Sequence, residues 1–324
     1  MEKSSFIQLL SQNYERMELF FGTNETSNIR IPLASQFTFS RETFNGPKFE
    51  DSVKKIHKQK PKKKLLDILS SSNNISALTY RILVHLVLHP EPEQELKRLI
   101  SNEKLLIKAG FKNSAYQNIA ALFLTDEEHA FRAKKLHNEM KKYHYFLTGK
   151  DDIPYAVLLT NQSSNYGTMA ETMRQYYDGL QKEGFKIGDS LQAMTQLLTL
   201  YQEEFQPTLI EYTVAIKQSF TNKKVKVGKK FYPYLALLAL VAATSEVVNE
   251  IIELSQELMS LSMYAREKEY ALMTATHYVL HHLIENNQLA DFNDSLLFMQ
   301  AINMSDFIND MTFFLAFDIL DIFI

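Results

Sequence analysis

Two places in the chain bring chemically capable side chains together at a useful spacing. The first is Asp151-Asp152, a carboxylate pair inside the stretch Phe146-Leu-Thr-Gly-Lys-Asp-Asp-Ile-Pro-Tyr-Ala-Val-Leu-Leu159. Paired carboxylates can bind a metal ion or divide acid and base roles between them. Adjacent residues on a helix point in different directions, however, and both sit where a helix cap belongs, so capping is the expected role. Asp189-Ser190, at the corresponding place further along, favours the same reading. The second place is His277, His281 and His282, whose i, i+4 pair puts two imidazoles on one helical face, as zinc or iron would require. A metalloprotease pattern needs glutamate directly after the first histidine, and that position is Tyr278. His277 and His281 are therefore metal candidates by spacing alone, and a partly buried helix face is the ordinary alternative. His85 and His89 repeat the spacing, but His89 abuts Pro90.

The remaining chemistry is electrostatic. Lys54 to Lys64 holds seven lysines and His57 in eleven residues, broken by Pro61. Such a run can bind nucleic acid, acidic lipid or an acidic protein. It lacks the interleaved aromatics that stacking on bases would use, so nucleic acid is set aside as a partner and a solvated helix end with a linker is expected. A second run, Lys223, Lys224, Lys226, Lys229 and Lys230, has the pattern of a soluble loop. No Gly-x-Gly-x-x-Gly, Gly-Lys-Ser/Thr or nucleophile-elbow motif occurs among the nine glycines. The absence of cysteine removes disulfides, thiolate metal sites and cysteine nucleophiles. No catalytic residue and no cofactor is implied.

The elements that must position these residues recur. Leu78, Tyr116, Ile153, Leu191 and Tyr232 each stand near the start of an apolar segment, and the steps between them are 38, 37, 38 and 41 residues. That period belongs to stacked helical hairpins. The lead-in recurs as Ala109-Gly-Phe-Lys112 and Glu183-Gly-Phe-Lys186, where a glycine would end a helix in a left-handed conformation and the phenylalanine would pack back on the turn. The first segment of each pair is apolar or small almost throughout, as in Tyr234 to Ala243, and the second is half charged, so buried first helices and water-facing second helices are expected. The expected fold is thus all-α, an array of antiparallel helical hairpins resembling tetratricopeptide or α-solenoid proteins. Residues 65–263 would form the hairpins, with a helical and basic N-terminal cap over 1–64 and a helical C-terminal cap over 264–324, all three within reach of being one continuous domain.

Charge is uneven along this array. Residues 1–64 carry 12 Lys or Arg against 7 Asp or Glu, the other 260 carry 23 against 31, and no Lys or Arg follows Lys268. Complementary ends make homo-oligomers an expectation. The N-terminal stretch lacks the apolar run of a signal peptide, and the apolar stretch from Met311 to Ile324 is short and holds Asp318 and Asp321, so no transmembrane segment is expected.

Ala109-Gly-Phe-Lys112, Phe146 to Leu159, Lys182-Glu-Gly-Phe-Lys186 and Leu191-Gln192 together resemble a family of bacterial cytosolic proteins, mainly from Gram-positive lineages, known as domain of unknown function 4003. The resemblance is clearest from Leu65 to Leu261 and implies an all-helical cytoplasmic protein without assigning catalytic residues. The tail from Asp291 to Ile324 departs from that family's small, alanine-rich ending. The expected function is a non-enzymatic scaffold that binds a protein or peptide partner, with Asp151, Asp152, Lys112 and Lys186 as contact residues. The alternative is an enzyme or sensor with a small-molecule or metal site among the repeats.

Overall fold

The computed structural model describes residues 1–22, 27–58, 77–143, 147–161, 165–289, 292 and 294–318. Fifteen α-helices and two short 3-10 turns lie among these residues, which contain no strand, so the chain is all-helical as its periodicity predicts. Contacts divide it into two units. One comprises Met1–Ser101, Gln256–Thr274 and the residues from Phe307 onward; the other comprises Asn102–Ser255 and Ala275–Asp306.

In the first unit, α1 (Lys3–Phe21) buries Phe6, Leu10, Tyr14 and Met17 on one stripe and ends at Gly22, whose φ of 65° breaks the helix. That stripe packs on α2 (Ser27–Phe39), which in turn meets α4 (Ala77–Leu88); α3 (Gly46–Lys58) packs on α4 as well. Pro32 lies inside α2, where Arg81 Nη1 donates to its carbonyl at 2.9 Å. The mostly apolar run from 31 to 39 lies within this helix. Asn13 is completely buried and ties α1 to the next turn: its amide donates to Thr38 Oγ1 and the Glu42 carbonyl, and its oxygen accepts from the Phe44 amide at 2.7 Å. Of the lysine run only its first part, in α3, is described; residues 59–64 lie outside the described residues.

The second unit takes the end of α5 (Pro92–Lys108) and then alternates short and long helices: α6 (Ala115–Phe123), α7 (Glu127–Tyr143), α8 (Ile153–Leu159), α9 (Tyr166–Lys182), α10 (Asp189–Leu198), α11 (Pro207–Asn222), α12 (Tyr232–Leu240) and α13 (Ser245–Met259). The short helices pack in succession, α6 on α8, α8 on α10 and α10 on α12. Among the long ones α7 packs on α9 and α9 on α11. Every residue of α8 and α12 is buried, as expected of helices apolar all round. Gly179 lets α9 approach α11 closely, since a Cβ there would lie 2.3 Å from Ile210 Cδ1. The chain continues into α14 (Lys268–Glu285) and α15 (Ser295–Asp318).

The turns repeat too. Gly110 and Gly184 have φ of 94° and 79°, and the following amides of Phe111 and Phe185 donate back to Leu106 and Leu180. This is the six-to-one closure that satisfies carbonyls at a helix end. Both rings are buried and each is covered by a lysine, Lys134 Nζ 4.8 Å from Phe111 and Lys217 Nζ 4.0 Å from Phe185. The same closure occurs at Lys224, with Val225 donating to Phe220, although Lys224 is not glycine and still adopts φ of 60°.

Candidate functional site

Asp152 immediately precedes α8, and its carboxylate does not cap that helix. Its Oδ2 accepts from the Gly149 amide at 2.7 Å, and its Oδ1 accepts from two carboxamides of α10, Gln192 Nε2 at 2.8 Å and Gln196 Nε2 at 2.5 Å. The capping expectation is thereby corrected. Pro154 in the first turn removes one donor that a cap would serve, and the 149–152 turn aims the carboxylate at the next short helix instead. Asp152 thus crosslinks α8 to α10. His137 of α7 secures the same turn from another side, its Nε2 donating to the Gly149 carbonyl at 2.8 Å. Burial lowers the His137 pKa to about 4, so the ring is neutral.

The electrostatics here are unusual. Asp152 is 3% exposed, and among the described residues the groups acting on it are Asp151, two carboxamides and a backbone amide, none of them cationic. Burial raises its pKa, Asp151 adds to the rise, and the three hydrogen bonds oppose it. Burial likewise raises Asp151, and Asp189 at the start of α10 contributes. Tyr116 of α6 lies within the field of all three aspartates and is pushed up to about 12, mainly by burial. Tyr155, one turn into α8, is pushed up by burial and then by Asp152, Asp151 and Tyr116. The cluster grades from surface to interior: Asp189 is exposed, Asp151 and Tyr116 are half-buried, and Asp152 and Tyr155 are buried. Three oxygens near its base, Tyr155 Oη, Gln192 Oε1 and Gln196 Oε1, are buried without a hydrogen-bond partner.

Sequence reasoning did not find Gln192, Gln196 or Tyr155 as site residues. The signal was present in Leu191-Gln-Ala-Met-Thr-Gln196, where two amides four residues apart interrupt an otherwise apolar helix and must share a buried face. Lys112 and Lys186 are exposed, and neither is among the groups acting on the aspartate pair. Lys186 instead serves its turn, its backbone amide donating to Tyr232 Oη at 3.2 Å.

The histidine candidates form two other clusters. His277 is buried with its Nδ1 2.6 Å from Asp306 Oδ2, and Asp306 also accepts a short hydrogen bond from the Tyr234 hydroxyl. His281, half-buried, places Nδ1 3.6 Å from Glu285, and the two imidazoles stand 6.5 Å apart between centroids. Among the described residues no group of three or more His, Cys, Asp or Glu is arranged to hold a metal ion. In the first unit, Glu95 is 4% exposed; Arg98 grips it from two nitrogens, each at 2.6 Å, and His85 Nε2 donates at 2.8 Å. His89 Nε2 lies 3.9 Å away. Burial works to raise the Glu95 carboxyl, but the bonds from Arg98 and His85 prevail and hold it well below the usual carboxylate range.

With the all-helical fold and this set of buried polar clusters in view, the chain falls among helical proteins with no established chemistry. Residues 13–306 match the family described as "Protein of unknown function (DUF4003)", and the chain belongs to that family. It is 24% identical over 273 residues to "Uncharacterized protein YeaA" of Bacillus subtilis (strain 168), an alignment covering 81% of this chain and 80% of that protein. No solved structure matches. Among the described residues, no helix is long and apolar enough to cross a membrane.

Proposed function

We propose that α6 to α13 are the stacked hairpins of a helical-repeat scaffold, and that this cytoplasmic protein binds a protein or peptide partner without catalysing a reaction. The observation that carries the reading is the row of polar residues at the starts of three short helices in contact: Tyr116 on α6, Asp151 ahead of α8 and Asp189 on α10. Consecutive repeats that stack a helix end on a helix end present such rows as continuous recognition surfaces. The long helices α7 and α11 expose the aromatic side chains Phe131, Tyr143 and Tyr212, as an ordinary solvated face does.

Affinity capture from the cytosol of the source bacterium tests this, using the full chain as bait and, as control, a variant with Asp151 and Asp189 both changed to Asn. The expected result is a discrete polypeptide recovered with the unaltered chain. Recovery of nothing above background, or turnover of a small molecule by the purified chain, would overturn the reading.

A further inference from the structure

We propose that Asp189, Asp151 and Tyr116 form the mouth, and Tyr155 the floor, of a site for an arginine or lysine side chain carried by the partner polypeptide. This rests on the scaffold reading and names the chemistry its surface selects. Three carboxylates, Asp151, Asp152 and Asp189, lie at the starts of α8 and α10, and among the described residues the groups that act on half-buried Asp151 and buried Asp152 include no cation. Neighbouring like charges and desolvation both disfavour that arrangement unless protons or a positive group complete it.

The second observation is the hydrogen-bond deficit beneath the carboxylates. Tyr155 is 2% exposed, its phenol oxygen has no partner, and the ionisable groups acting on it are Asp152, Asp151 and Tyr116. Gln192 and Gln196 spend their amide hydrogens on Asp152 and leave both carbonyl oxygens without a donor. Turning either amide around would set its oxygen against the Asp152 carboxylate, so both Nε2 groups stay on Asp152 and both oxygens stay without a donor. The site is therefore rich in acceptors and short of N–H groups. A guanidinium offers five such donors and an ammonium three, on a charge of the missing sign. A divalent metal fits less well, because the three N–H donors already on Asp152 point at the lone pairs a metal would need.

Titration of the full chain at neutral pH with acetyl-Gly-Arg-Gly-amide, acetyl-Gly-Lys-Gly-amide and the Gln analogue, followed by the carboxyl carbon shifts of Asp151 and Asp189, is the test. One basic peptide should bind with Kd of about 1 mM or tighter while the Gln peptide does not. Asp189→Asn, on an exposed residue, should weaken binding about tenfold with an unchanged melting curve, and Tyr155→Phe should weaken it several-fold. No binding by either basic peptide, equal binding by the Gln peptide, indifference to Asp189→Asn, or the same shifts produced by calcium chloride would each overturn the proposal. Tighter binding of methylguanidine than of the peptides would make the ligand a free cation and overturn its assignment to a polypeptide. A partner captured equally by the unaltered chain and by Asp189→Asn would sink this site and leave the scaffold standing. Peptide binding without any captured partner would do the reverse.

Discussion

Asp152 and Glu95 are both carboxylates almost wholly removed from solvent, and their surroundings have opposite character. Glu95 is held by a guanidinium and an imidazole and is driven toward its charged form; Asp152 is held by three neutral N–H groups beside a second carboxylate and is driven toward its neutral form. Desolvation acts on both. The difference lies in whether the fold supplies the counter-charge. Around Glu95 it does, and the cluster is electrically closed, a fastening between α4 and the start of α5. Around Asp152 the described residues do not, and an acceptor-rich centre is left beneath half-buried Tyr116 and Asp151 and exposed Asp189. A buried charge that the fold satisfies reads as structure, and one it leaves incomplete reads as a place for something else.

The largest expected effect breaks the Asp152 side of this comparison. Asp152→Leu strands the Gly149 amide and the amides of Gln192 and Gln196 at once, and should cost about 3 kcal/mol or more in urea unfolding. A cost below about 1 kcal/mol would mean that the α8 to α10 crosslink is dispensable. Arg98→Ala removes the counter-charge from Glu95. It should cost less, about 1–2 kcal/mol, because the arginine is itself partly solvated and His85 remains in place.

Stability as a function of pH separates the two clusters by sign. The folded pKa of Glu95 lies below its unfolded value, so its contribution is present above pH ~4 and is lost as pH falls. Glu95→Gln should therefore be less stable than the unaltered chain near neutrality, with the gap closing in acid. The folded pKa of Asp152 lies above its unfolded value, so its contribution is full below pH ~4 and is lost as pH rises through the raised pKa. Asp152→Asn should therefore gain on the unaltered chain as pH rises between 5 and 8, by up to about 1.4 kcal/mol per pH unit. Thermal melts of both variants from about pH 2 to 8 would show the Glu95→Gln difference changing below about pH 5 and the Asp152→Asn difference changing, with the opposite sign, above about pH 4; changes of the same sign would erase the distinction.

The sequence carried the helices of both regions well and the clusters poorly, for a physical reason. Helical periodicity, Pro207 and the glycines at 110 and 184 are local signals, and the helices begin and end close to where those residues require. The turn at Lys224 escaped notice because its left-handed residue is not glycine, so the Gly-Phe-Lys pattern fails there while the hydrogen bonding persists. Asp151-Asp152 was legible as an unusual pair, yet its local context pointed to a cap. The partners that decide its role, Gln192 and Gln196, lie 40 and 44 residues away, one repeat later. His85 and His89 were legible as a pair in the same limited way. Glu95 sat unremarked in a first turn of acids, because only packing shows which of Glu91, Glu93 and Glu95 is buried.

The smallest predicted effects cut closest to function. In the closed cluster each polar group is matched, so His85→Ala should lower stability by about 1 kcal/mol through one lost charge-assisted bond. Tyr155→Phe should do the opposite. Its hydroxyl pays for burial without a partner, so removing the oxygen and keeping the ring should raise stability in urea by up to about 1 kcal/mol. An atom that weakens the free protein makes physical sense where a bound group offsets the cost, and the same substitution should then weaken the basic-peptide complex. A Tyr155→Phe chain that is less stable than the unaltered one would place the hydroxyl in a bridged internal network, and the Asp152 cluster would join that of Glu95 as fastening alone.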